Sequence, residues 1–198
     1  MAATTRQIRA ALRRQGIEPR GRLRFLKSGR IVTDAGSVAV KLSYTTDASY
    51  RYADDLRTYS MAKVPAEQLL VDEPIQIGDQ WAIVVAHVHA VEPTRPHHAE
   101  AVGRLLRLTH DAVWPFAEPR RGDEVYCPDD WRPENIIITA AGPVMIDLDL
   151  ADVHPRSRAL DMAIDDFSRP FASRTAIATE LRRGYGHHPD LASPGIRR

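Results

Sequence analysis

The stretch Val125 to Val153, VYCPDDWRPENIIITAAGPVMIDLDLADV, constrains this chain more than any other. Its β-branched run Ile136-Ile137-Ile138 predicts a buried strand that fixes the loop before it, and Ala141-Gly142-Pro143 predicts a turn. Val144-Met145-Ile146 then predicts a second apolar strand, which delivers Asp147 and Asp149 to the point where the apolar run stops. Asp130 stands five positions before Asn135, with Pro133-Glu134 between them. Three carboxylates and an amide therefore converge on one hairpin mouth. Hard oxygen ligands hold magnesium while a spare carboxylate takes a hydroxyl proton, so the set suits a divalent cation and a transferring phosphoryl group. Acidic residues at hairpin ends are also common as solvated turn formers. The joint spacing of four polar residues around two apolar strands makes that the weaker account.

An Asp, four residues, an Asn, and a further Asp after a short hairpin is the spacing of the protein-kinase catalytic loop. The segment PDDWRPENIII followed by VMIDLDLAD resembles the catalytic and metal loops of the aminoglycoside phosphotransferase branch of the kinase-like superfamily, whose members read His-Gly-Asp-Leu-His-Pro-x-Asn and then Ile-Asp-Phe-Glu/Asp. The resemblance implies that Asp130 is the catalytic base, that Asn135 and Asp147 hold Mg2+ with Asp149 in the second acidic position, and that Arg132 faces the phosphates. Pro128-Asp129 stands in place of the His-Gly pair, whose His braces the loop in the family, a departure that bears on loop geometry and rate. Val144 to Asp149 also resembles the nucleophile strand of haloacid-dehalogenase-type phosphatases. Those domains are doubly wound, and the helical pattern after Asp149 leaves no source for the parallel strands they need.

Ahead of this stretch the chain reads as a small β-rich lobe. Thr5 to Gln15 predicts a short helix, with Ile8 and Leu12 at helical spacing and Gly16 as its stop. Leu23 to Leu26, Arg30 to Thr33 and Ser37 to Leu42 predict three strands of a meander. Lys41, in Val38-Ala39-Val40-Lys41-Leu42, resembles the kinase lysine that contacts nucleotide phosphates. The helix predicted from Asp47 to Ala62 offers Asp54 and Asp55, but no glutamate, as its partner. Ser28-Gly29 is all that matches the phosphate-covering loop, where backbone amides can still cradle phosphate. Trp81 to Val88 predicts an apolar strand running into the hinge, so His87, Val88 and His89 are the candidates for backbone contacts to adenine. The histidine pairs His97-His98 and His187-His188 lack a third metal ligand at useful spacing in the sequence.

Beyond Glu92-Pro93, Ala99 to His110 predicts an amphipathic helix, and its Leu-Leu-Arg-Leu-Thr-His resembles the helix beneath the family's catalytic loop. Ser157 to Phe167 and Ser173 to Arg183 predict two more helices. Asp161 falls where the family has an Asp that steadies the catalytic loop, and Arg182-Arg183-Gly184-Tyr185-Gly186 resembles its closing segment.

Composition fits an ordinary soluble domain: 198 residues, 43% hydrophobic and 27% charged, enough for one core with two small lobes, 1–88 and 89–198. A formal charge of +1 gives no whole-molecule reason to bind nucleic acid or membrane. The single cysteine, Cys127, excludes an internal disulfide, and no apolar run reaches the length of a membrane span, so a cytoplasmic setting is expected.

The expected fold is α+β, a compact two-lobed protein-kinase-like domain. The expected activity is transfer of a phosphoryl group from ATP, or GTP, with Mg2+ to an acceptor hydroxyl. By resemblance the acceptor is a small molecule of aminoglycoside or sugar type. His110 and Asp130 stand only twenty positions apart, which implies a reduced acceptor side against the longer helical inserts of the family. An open cleft suits a Ser or Thr of a peptide, or a site completed by a partner protein. The altered loop and the absent helix glutamate also fit a nucleotide-binding pseudokinase scaffold.

Overall fold

The computed structural model describes residues 3–19, 21–25, 30–33, 38–43, 45–112, 123–148 and 151–186. The chain divides into two compact units, one of Met1–Met61 with Ala66–His89, the other of Ala62–Pro65 with Ala90–Arg198. Together the described residues form an α+β fold of small antiparallel sheets and five α-helices.

In the first unit, helix α1 (Thr5–Arg14) starts at a reciprocal cap: Thr4 Oγ1 accepts from the Gln7 amide at 3.3 Å and Gln7 Oε1 accepts from the Thr4 amide at 2.9 Å. Arg13 and Arg14 in its last turn complement the helix dipole, and Gly16 takes φ +74° just past the end. Five strands follow: β1 (Leu23–Phe25), β2 (Arg30–Thr33), β3 (Val38–Ser43), β4 (Ile75–Ile77) and β5 (Gln80–Ala86), in the antiparallel order β1-β2-β3-β5-β4. Ile8, Ala11 and Leu12 of α1 pack on Val38, Val40, Ala82 and Val84. The register Ala39↔Val85 and Lys41↔Ile83 puts these four residues on the opposite face, where helix α2 (Thr46–Met61) lies with Tyr52 against Lys41. Strand β5 is therefore covered on both faces. Each fully buried aliphatic side chain there contributes about 1.5–3 kcal/mol.

The second unit holds helix α3 (Ala99–Asp111), strands β6 (Glu124–Pro128), β7 (Ile136–Thr139), β8 (Gly142–Met145) and β9 (Ala151–Pro155), and helices α4 (Arg156–Ser168) and α5 (Arg174–Tyr185). Its strands pair as β7 with β8 and β6 with β9, both antiparallel. Two expectations change here. Val125 to Pro128, expected as loop, is strand, because it pairs with β9 at Val125↔His154 and Pro128↔Ala151; a partner that distant in sequence leaves no local signal. The second hairpin strand ends at Met145, one residue earlier than the apolar run suggests.

Helices α3 and α5 pack without any gap. A Cβ on Gly103 would lie 2.1 Å from the Leu181 carbonyl oxygen, and one on Gly184 would lie 1.9 Å from the Glu100 carbonyl oxygen. Only glycine fits at either place. Below this crossing the Tyr185 hydroxyl meets His110 Nδ1 at 2.9 Å and accepts from Arg156 at 3.0 Å, and Arg156 also reaches Asp111 at 2.8 Å. The closing segment from Arg182 to Gly186 is thus explained by close packing and a buried hydroxyl. Burial pushes the Tyr185 phenol up from its ordinary value.

Candidate active site

The loop from Asp129 to Asn135 leaves strand β6 and enters β7 through a single 3-10 turn, Pro133–Asn135. Proline at the first position of that turn needs no amide donor, and Asn135 N–H closes on the Arg132 carbonyl at 2.9 Å. Trp131 is the loop's anchor. Its ring is buried and its indole N–H donates to the Pro128 carbonyl at 2.8 Å. Two hydrogen bonds shape the segment around Asp130: Asn135 Nδ2 donates to the Asp130 carbonyl at 3.3 Å, and the Arg132 amide donates to Asp130 Oδ1 at 3.4 Å.

The Asp130 carboxylate is held by a bidentate guanidinium. Arg132 Nε lies 2.6 Å from Oδ1 and its terminal nitrogen 2.5 Å from Oδ2. This contact is the main reason the Asp130 carboxyl sits below the usual carboxylate range, although partial burial opposes it. Asp166, on α4, was not foreseen. It accepts from the Trp131 backbone amide, pairs with Arg169 at 2.9 Å, and is pushed up by burial, with the Asp130 charge adding to the shift and Arg169 opposing it. Asp161, expected to steady the loop, instead pairs with Arg182 at 2.8 Å on the exposed side of α4. The helical period explains the exchange: Asp166 shares its side of α4 with buried Ala159 and Ala163, seven and three residues back, and its side chain is 18% exposed, whereas that of Asp161 is 67% exposed.

Asn135 and Asp147 stand on either side of the hairpin mouth. Ile136 pairs with Met145 at the last register position, and the Ile146 amide donates to the Asn135 carbonyl at 2.8 Å. Asp147 follows with φ +67°, a left-handed conformation that an Asp tolerates better than most residues. Asn135 is buried, and its Nδ2 is committed to the loop, which leaves Oδ1 as its donor toward a cation. An amide oxygen and a carboxylate are the hard ligands that magnesium takes. The donor set fits that ion. Asp149 lies outside the described residues.

In the first unit, Lys41 Nζ meets Glu67 Oε1 at 2.7 Å and lies 4.4 Å from the centroid of the Tyr52 ring. Tyr52 hydrogen-bonds both groups through its hydroxyl. Glu67 is fully buried, so the ion pair is strongly constrained. This glutamate lies beyond α2, the helix on which Asp54 and Asp55 are the expected partners. Asp54 pairs with Arg57 at 2.5 Å, and Asp55 is buried one turn beyond Tyr52 on the same helix face. Glu67 follows the helix, and the one clue is a lone acid within Val64-Pro65-Ala66-Glu67-Gln68-Leu69-Leu70. Strand β5 stops at Ala86, so His87, Val88 and His89 follow the strand, with the His87 and His89 rings edge to face at 4.8 Å. Ser28 and Gly29 lie outside the described residues, as do His187 and His188.

The pair His97-His98 does find a third group. Glu92 approaches His98 Nε2 at 3.2 Å and His97 Nε2 at 3.9 Å. His98 Nδ1 accepts the Arg95 amide at 3.0 Å, which leaves the ring proton on Nε2, pointing at Glu92. This is a hydrogen-bonded carboxylate–imidazole pair at the start of α3, with the Nε2 lone pair a metal would need already protonated.

No family model matches the sequence, and no curated protein matches it. Solved structures do. The fold is similar to an aminoglycoside-3'-phosphotransferase of type VIII, at 16% identity and a TM-score of 0.67 over 91% of each chain. It is similar to an aminoglycoside phosphotransferase from Streptomyces rimosus in complex with ADP and streptomycin, at 13% identity and 0.66 over 89% of this chain and 90% of that one. It is also similar to a spectinomycin phosphotransferase in complex with ADP and spectinomycin, at 14% identity and 0.70 over 95% and 80%. The fold is that of the kinase-like phosphotransferases.

Proposed function

We propose that this chain is an ATP- and magnesium-dependent phosphotransferase that moves the γ-phosphoryl group to the hydroxyl of a polar small molecule. The observation that carries this reading is the hairpin mouth, where Asn135 and Asp147 flank the Ile146–Asn135 bond while Asp130 heads the loop leading into it. A merely solvated turn needs neither a buried asparagine nor a left-handed aspartate there. Neighbouring folds that bind ADP together with streptomycin or spectinomycin support a nucleotide and a polyhydroxylated acceptor.

Lys41, held by Glu67 and Tyr52, clamps the nucleotide phosphates. Asn135 and Asp147, with Asp149, would hold magnesium, which would supply neutralising charge to the phosphates. Asp130 orients the acceptor hydroxyl and takes its proton as the acceptor oxygen bonds to the γ-phosphorus and the bond to the β-phosphate oxygen breaks, releasing ADP. Arg132 turns from Asp130 to the phosphates, which frees the base and offsets charge in the transition state.

A nucleotide-binding scaffold is the second reading, favoured by one observation: both oxygens of Asp130 are occupied by Arg132. Turnover of ATP with magnesium, screened over aminoglycosides and Ser/Thr peptides, separates the two. Asp130→Asn is expected to lower turnover by about 10²–10⁴-fold while ATP binding by calorimetry persists. Turnover untouched by that substitution removes Asp130 as the base, and ATP binding without any turnover supports the scaffold.

A further inference from the structure

Asp130 is flanked by two residues that tie the loop to the rest of its unit. On one side Trp131 is buried and gives its amide to Asp166 of α4. On the other, Asp129 Oδ1 meets His154 Nε2 of β9 at 2.7 Å, with the two side chains 35% and 14% exposed. By contrast, the contacts that Asp130 itself makes to Arg132 and Asn135 are internal to the loop. Internal bonds set the loop's shape; its position is set by bonds to the rest of the unit, the two flanking Asp130 and the Ile146 amide to the Asn135 carbonyl at the loop's far end.

The His154 contact is not a by-product of strand pairing. The register places His154 opposite Val125, four residues before Asp129, a separation of about 13 Å along an extended strand. The chain bends at Asp129, and the carboxylate and the imidazole meet although the two residues are not register partners. A carboxylate bonded to an imidazole N–H is a charge-assisted contact, and here the imidazole is mostly shielded from water while the carboxylate keeps about a third of its surface exposed. We infer that His154 is a positioning residue: through Asp129 it fixes the backbone that carries Asp130. This rests on Asp130 acting as the base of a phosphotransferase, since a displacement of about 1 Å at a reacting group can cost on the order of a hundredfold in rate.

The test compares wild type with His154→Ala, His154→Gln, Asp129→Ala and the double variant, in the full chain with ATP and magnesium. His154→Ala and Asp129→Ala each lower kcat by about tenfold to a hundredfold with the nucleotide KM unchanged. The double variant loses no more than either single one, and His154→Gln, whose amide can still donate to the carboxylate, recovers most of the rate. Hydrogen exchange of the amides of residues 130–135 speeds up in both alanine variants. Additive losses, a change confined to KM, or unchanged exchange at 130–135 overturns the inference. If wild type shows no turnover with any acceptor, the phosphotransferase reading fails on its own, and the exchange rates still decide whether His154 anchors the loop.

Discussion

Arg132 does two things to Asp130 at once: it lowers the carboxyl's pKa and it covers both acceptor oxygens. Asp130 is therefore ionised above the ordinary carboxylate range near 3.9, and the stabilisation from the pair is present there and fades as pH falls through its lowered folded-state value. Replacing Arg132 with Met moves the Asp130 titration upward, and the acid limb of the turnover profile moves up with it; carboxyl NMR against pH reads the first shift directly. An unchanged titration would show that the guanidinium contact is not kept in solution. At Lys41 the balance is different, because Glu67 is buried and cannot be left by water. Glu67→Ala strands a lysine that is 14% exposed and is expected to cost about 3 kcal/mol in denaturant unfolding. Glu67→Gln, which keeps an acceptor for Tyr52, costs less. Neither Glu67, Asp166 nor His154 was legible in the sequence as part of the site. Each acts through a contact across space, and a lone Glu in a loop, the second Asp of Asp165-Asp166 or a His on a short strand carries no spacing that distinguishes it from a surface residue.

At the level of elements, the legible parts were those whose signal is local. Helix α1 announced itself by Ile8 and Leu12 ahead of the Gly16 stop, α3 by its amphipathic spacing, and the β7–β8 hairpin by its β-branched run. Strand β6 was hidden because its evidence lies in β9. Glycine is a poor helix former, yet Gly103 and Gly184 are where two backbones touch. A methyl group at either site collides with a carbonyl oxygen that no rotamer can move, so Gly184→Ala and Gly103→Ala should each destabilise by about 1–3 kcal/mol. Urea midpoints measure this. Gly142→Ala is a different case: its φ of +121° strains any side chain, but open space surrounds it and α5 is untouched.

For the whole molecule, ligand linkage gives the broadest check. At about a hundredfold excess over Kd, magnesium-ATP should add about 2.7 kcal/mol and raise Tm by roughly 5–10 °C. Asp147→Asn should abolish the magnesium-dependent part of that rise and leave the unliganded Tm close to wild type, as measured by calorimetry. No described helix is long and apolar enough to cross a membrane. The nesting of β7–β8 inside β6–β9 also sets an order of events on the way to the native state. The inner hairpin closes between Thr139 and Gly142, whereas the outer pair must bring Pro128 to Ala151. Loop-closure entropy makes that outer step about 1.6 kcal/mol harder for an unstructured chain, and forming the hairpin first removes most of the excess. Asp130 is therefore set in place late, after Asn135 and Asp147 have already been brought together, and a chain slowed at Ile137 or Val144 is slowed in placing Asp130 as well.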